Sequence, residues 1–186
     1  MTALRAFATA LACASMVSLL TWSPAAAPAS AKELDIKVDA ALEQFYEQVG
    51  GGRRFVQEAE GVLVFPRVVK AGLGIGGEYG EGALRINGRT VDYYNVAGAS
   101  IGFQLGAQVK TIAIVFLDAG ALREFRESQG WKVGVDGSVA LIELGAGGSI
   151  DTTNIQEPIV GFVFGNKGLM YNLTLEGSKF TKIDKK

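Results

Sequence analysis

Between Ile101 and Lys110 the chain alternates without a break: Ile101, Phe103, Leu105, Ala107 and Val109 at odd positions, Gly102, Gln104, Gly106, Gln108 and Lys110 at even ones. An extended strand sends successive side chains to opposite faces, so it sorts these residues onto two surfaces. A helix would scatter them around its circumference. One of the two surfaces has little side-chain bulk, so another backbone, a helix or a ligand must come close to it, and internal packing is the expectation. The neighbouring segments extend the same sheet. Val62-Leu63-Val64-Phe65 reads as a buried strand closed by Pro66, and residues 111–117 as another. Asn87-Gly88, set between Leu84/Ile86 and Val91/Tyr93, is a two-residue hairpin signal. Trp131, Val133, Val135, Val139 and Leu141 alternate again. Residues 159–164, a turn at 165–168 and residues 169–175 read as a last hairpin, and 180–186 as a tail.

Helical spacing appears in two places. Over residues 33–49, Leu34, Val38, Ala41, Leu42, Phe45 and Val49 share an arc of about 100°. The opposite side carries Glu33, Lys37, Asp39, Glu43 and Glu47, and Gly50-Gly51-Gly52 ends the helix. Residues 53–60 read as a short second helix. Asp118 is a candidate N-cap for a helix over 119–128. Asp136-Gly137 reads as a turn or bulge. The fold class is therefore α+β: N-terminal amphipathic helices, then a mostly antiparallel, Gly-rich sheet or barrel-like sheet with one inserted helix.

Composition removes several function classes. The 186 residues include no histidine, which excludes a Ser–His or Cys–His nucleophile and any His-ligated metal. A net charge of −1 lacks the basic footprint of a nucleic-acid binder. Gly72-Leu73-Gly74-Ile75-Gly76-Gly77 spells a dinucleotide fingerprint, but Glu78-Tyr79-Gly80-Glu81-Gly82 follows where the phosphate-binding helix should start. Gly98-Ala99-Ser100-Ile101-Gly102 spells a nucleophile elbow inside what reads as a strand. Neither motif has its context, so no cofactor, no metal and no enzymatic activity are expected.

The first segment reads as a targeting signal. Arg5, an apolar run through Leu11, Leu19, Leu20 and Trp22, and the Ala/Pro/Ser stretch to Ala31 describe a signal peptide. Cleavage after Ala31 leaves residues 32–186 as one domain, periplasmic or secreted. Acylation at Cys13 fits less well, because the apolar run continues beyond it.

One resemblance goes further. Gly61-Val62-Leu63-Val64-Phe65-Pro66, Lys70-Ala71-Gly72, Gly76-Gly77, Tyr79-Gly80-Glu81-Gly82 and the run Gly98, Ser100, Gly102, Gln104, Gly106, Gln108 resemble the SYLF domain. Residues 133–140 and 168–176 are similar to its later segments. SYLF domains occur in eukaryotic actin-patch proteins and in secreted bacterial proteins. The resemblance implies a non-enzymatic domain that binds phospholipid or phosphoinositide, with a membrane surface as partner. A protein of the envelope is the alternative partner. Actin is not expected for an exported chain of this kind. Arg53, Arg54, Arg67 and Lys70 are the candidate lipid-binding residues, with the apolar face of residues 33–49 docking on lipid or covering the sheet. The basic residues Lys179, Lys182, Lys185 and Lys186, interleaved with Phe180 and Ile183, form a second candidate membrane contact.

Overall fold

The computed structural model describes residues 29–143, 157–168, 175 and 177–186, with backbone alone at 73–74, 100–105, 143 and 168. Residues 1–28, most of the signal peptide expected over 1–31, and most of the expected strand at 169–175 lie outside these residues. Among the described residues the order is α1 (Ala31–Gln48), α2 (Gly52–Glu58), β1 (Gly61–Ile86), β2 (Arg89–Phe116), α3 (Ala119–Glu127), β3 (Trp131–Lys132), β4 (Ala140–Glu143), β5 (Ile159–Gly168) and β6 (Lys179–Ile183). The class is α+β, and the sheet is curled and mostly antiparallel.

A single ribbon of β1 and β2 organises the molecule, paired from Gly61↔Phe116 to Ile86↔Arg89. Asn87 and Gly88 turn it with φ of 51° and 74°, the left-handed pair that a two-residue hairpin requires. Pro66 does not close a strand. It sits in an irregularity between Phe65 and Val68, and the register resumes beyond it. A bulge tolerates a residue without an N–H where a regular ladder position would not. The other side of β2 pairs with β6 near its start and β5 near its end. β5 also carries β4 in parallel, and β3 pairs with β6.

The ribbon bends back on itself at the Gly-rich stretch. A Cβ on Gly72 would lie 2.4 Å from Gly76 Cα, and one on Gly82 would lie 2.4 Å from the Val64 carbonyl oxygen. Residues 72–77 are thus strand backbone in close approach, which is why the spacing imitates a fingerprint without forming a phosphate loop. Beyond β2 the structure departs from the expected strands. The alternation at 131–141 is broken into β3, a turn at 134–136 and β4, since Gly134 has φ 81°. Asp136 holds that turn by accepting from Lys132 N at 2.6 Å. Residues 165–168 belong to β5 and make no turn.

Two cores lie on the two faces of the sheet. Leu63, Phe65, Val68, Leu84, Tyr94, Ile112, Ile114 and Phe116 fill the inside of the curl, closed by Leu122 and Phe125 of α3, Trp131 and Phe180. On the outer face, Leu34, Val38, Ala41, Phe45 and Val49 pack on Val62, Val64, Ala113, Val115, Val160, Phe162 and Phe164. Phe45 lies edge-on to Phe162, ring centroids 4.9 Å apart. Each of the larger side chains, from Val upward, contributes about 1.5–3 kcal/mol by leaving water. The acidic side of α1 is also used. Asp35 accepts from Thr90 Oγ1 at 2.8 Å and Tyr93 Oη at 3.0 Å, and Asp39 from Arg85 at 2.8 Å, which clamps the helix to the hairpin.

The start of α1 is capped by Ser30, whose Oγ accepts from Glu33 N. Nearby, Ala31 N donates to the Lys186 carbonyl and Lys185 Nζ to the Ala29 carbonyl. A cut after Ala31 falls inside the first helical turn and takes the cap away, whereas a cut after Ala29 keeps it. Asp118 caps α3 as expected, accepting from Ala121 N at 2.8 Å.

Candidate functional site

The alternation that defines the ribbon also sorts its chemistry. Pro66's bulge shifts the parity of β1, so Phe65 and Val68 both face inward. Lys70 follows two residues later and faces Gln108 across the ladder, while Lys110 faces Val68. After the bend, Glu78 faces inward opposite Gly98. Ser178, just before β6, completes the group.

These side chains form a buried polar cluster where the apolar interior ends. Lys110 has no exposed surface, and Lys70, Glu78, Gln108 and Ser178 are also buried. Ser178 Oγ donates to Glu78 Oε1 at 2.5 Å. Lys110 Nζ stands 3.0 Å from Glu78 Oε2, yet neither atom makes a hydrogen bond, and Gln108 Oε1 also lacks one. Two ammonium groups therefore face one carboxylate. Burial pushes the Lys70 ammonium below the ordinary lysine value; Glu78 opposes the fall and Lys110 adds to it. Buried polar groups with incomplete partners are expensive, so the cluster is not there for stability.

On its opposite face the same ribbon is only half covered. α1 and α2 pack over the end that holds Val62, Val64, Ala113 and Val115. By alternation the face continues through Val69, Ala71, Ile75, Gly77 and Tyr79 on β1, and through Ala97, Ala99 and Ala107 on β2. There it is bare. Val69, Tyr79 and Ile75 are exposed, Ile75 at 73%. No charged side chain stands among these positions. Exposed Arg67 borders them.

The four candidate residues do not meet. Arg53 bonds Glu43 at 2.7 Å and lies 4.3 Å above the Tyr46 ring. Arg54 bonds Glu58 at 2.7 Å within α2. Arg67 is at the edge of the bare face, and Lys70 is inside the curl, where it cannot meet a head group at the surface. The apolar side of α1 is likewise occupied: Leu34, Val38 and Phe45 are fully buried and Leu42 is packed against the same core. That removes the expected helix-on-lipid contact. The expected basic tail is corrected too. Residues 179–183 are β6, because Phe180 completes the inner core. Lys182 pairs with Asp92 and Lys185 with Glu81.

Residues 97–186 match the family model described as Ysc84, a Las17-binding protein and actin regulator. Over this stretch the chain is similar to the SYLF-domain family. No curated protein matches it in sequence. The matched stretch takes in Gln108, Lys110 and Ser178, along with most of β2. Lys70 and Glu78 come from β1, which precedes it but is β2's partner throughout. Glu78, Lys110 and Ser178 were missed by the sequence reading. Lys110 carried a signal, since it shares the even positions of the alternation with Gln108. Ser178 carried none.

Among the described residues no group of three or more Cys, Asp and Glu side chains is placed to hold a metal. No described helix is long and apolar enough to cross a membrane.

Proposed function

We propose that this chain is a non-catalytic SYLF-domain protein of the bacterial cell envelope that docks on anionic phospholipid surfaces, and that the bare half of the ribbon's outer face makes the contact in place of α1. The observation that carries this reading is the uncharged, exposed strip of Val69, Ile75 and Tyr79 among small residues, bordered by Arg67. Apolar surface of this kind, rimmed by a cation, suits the boundary between head groups and acyl chains. Arg67 makes no hydrogen bond or ion pair with the described residues, so its charge is free for a phosphate. The excess ammonium inside the curl adds positive potential behind the strip.

Co-sedimentation with vesicles of phosphatidylglycerol in phosphatidylcholine tests it. The protein is expected in the pellet, less at higher salt, and Ile75→Asp is expected to return it to the supernatant. Equal recovery with and without vesicles, or equal pelleting of Ile75→Asp, overturns the reading. The burial of α1 favours one competing reading, a module that works through an envelope protein or a second copy. A dimer in solution that Ile75→Asp dissociates would establish that reading and overturn the lipid one.

A further inference from the structure

The second concentration of positive charge lies beside α3, away from the bare face. Helical spacing places Ala119, Leu122, Arg123 and Arg126 along one side of α3. With Glu127 and with Lys182 of β6 they line a groove of ≈ 440 Å³. Three of these side chains are cations and one is an anion. Behind them is Asp92, whose carboxylate is buried. Its Oδ2 accepts from Arg126 Nε at 3.1 Å, and its Oδ1 is paired with Lys182 Nζ.

Asp92 thus holds two cations in fixed positions without using them up. Arg126 spends its Nε on Asp92, and its terminal nitrogens make no bond to the described residues. The Lys182 side chain remains half exposed. Arg123 makes no hydrogen bond or ion pair with any described residue. With Asp92 and Glu127 counted against Arg123, Arg126 and Lys182, the groove holds one surplus positive charge. Guanidinium forks meet phosphate oxygens in pairs, which an ammonium alone cannot do. Ala119 and Leu122 supply an apolar floor beside the charges.

We propose that this groove is a phosphate-binding site, in which Arg123 and Arg126 grip the oxygens of a phosphate monoester, Lys182 balances its charge, and the floor takes the adjoining carbon skeleton. The inference is independent of the lipid-docking reading, since it uses another face of the molecule. The phosphate can be carried by a small soluble molecule or by a lipid head group.

Calorimetric titration of the whole protein with inorganic phosphate and with glycerol 3-phosphate, alongside sedimentation with phosphatidic acid vesicles, tests the site and separates the two sources. Binding of the soluble phosphates assigns a free ligand, and binding of the vesicles alone, provided that Arg123→Gln weakens it, assigns a head group. In either case Arg123→Gln is expected to weaken binding about tenfold, the loss of a charge-assisted pair of hydrogen bonds. Arg123 has no partner to lose, so this variant folds as the parent does. Ile75→Asp is expected to leave binding of the soluble phosphates unchanged. No binding by any of the three probes, or equal affinity in Arg123→Gln, overturns the proposal.

Discussion

Phe45→Ala distinguishes a helix that belongs to the core from one held in reserve for a membrane. The Phe45 ring is wholly buried. It lies edge-on to Phe162 at 4.9 Å and tilted against Phe164 at 5.9 Å. Truncation removes these contacts and leaves a cavity between α1 and the sheet, a loss of about 3–5 kcal/mol. That is a large share of the roughly 5–15 kcal/mol by which domains are stable. Urea unfolding of the purified protein should show the loss as a lower midpoint at constant slope. Ile36→Ala, on the exposed side of the same helix, should stay within about 0.5 kcal/mol of the parent. Phe45→Leu keeps most of the volume and should cost about 1.5 kcal/mol or less, so it remains folded for vesicle assays. It should sediment with phosphatidylglycerol vesicles as the parent does. A loss below about 1 kcal/mol in Phe45→Ala, or vesicle binding lost in a folded Phe45→Leu, would refute the assignment of α1 to the core.

Two further expectations concern the interior of the curl. Gly82→Ala drives a methyl group against the Val64 carbonyl and the Phe65 ring, so thermal unfolding should show a destabilisation of about 1–3 kcal/mol or more. Unchanged stability would mean that the two arms of β1 do not touch there. The Tyr94 hydroxyl is buried without a hydrogen-bond partner, and burial, with a smaller contribution from Asp92 and an opposing one from Arg126, pushes it up to about 12. A tyrosine whose folded value is raised contributes stability that is whole below the ordinary 10.0 and is lost as pH climbs through about 12. Tyr94→Phe should therefore match or exceed the parent near neutrality, and its urea midpoint should fall less in alkali, where Tyr46, Tyr79 and Tyr93, also raised, still titrate.

Much of this architecture can be read from neighbouring residues alone. Asn87-Gly88 forms the turn because those two residue types accept positive φ. Asp118 ends up as a cap because its short side chain reaches the next free N–H groups. The alternation at 101–110 forms a strand, and the 3.6-residue spacing from Leu34 to Val49 forms a helix. Such signals act over a few residues, so the chain carries them wherever it goes. The destination of a side chain depends on what arrives from far away in sequence. Lys70 looked like a surface cation, but one bulge at Pro66 turned it inward beside Lys110 of the facing strand, and the bend at Gly72–Gly76 brought Glu78 to both. Phe180 and its lysines looked like a tail until β2 offered them an edge to pair with. Asp92, Arg126 and Lys182 lie far apart in sequence and meet only because α3 and β6 flank the same strand. Conformation followed from local chemistry. Burial, the bare face of the ribbon and the charged groove were fixed by how two long strands fold over each other, because a side chain's solvent is chosen by its distant neighbours.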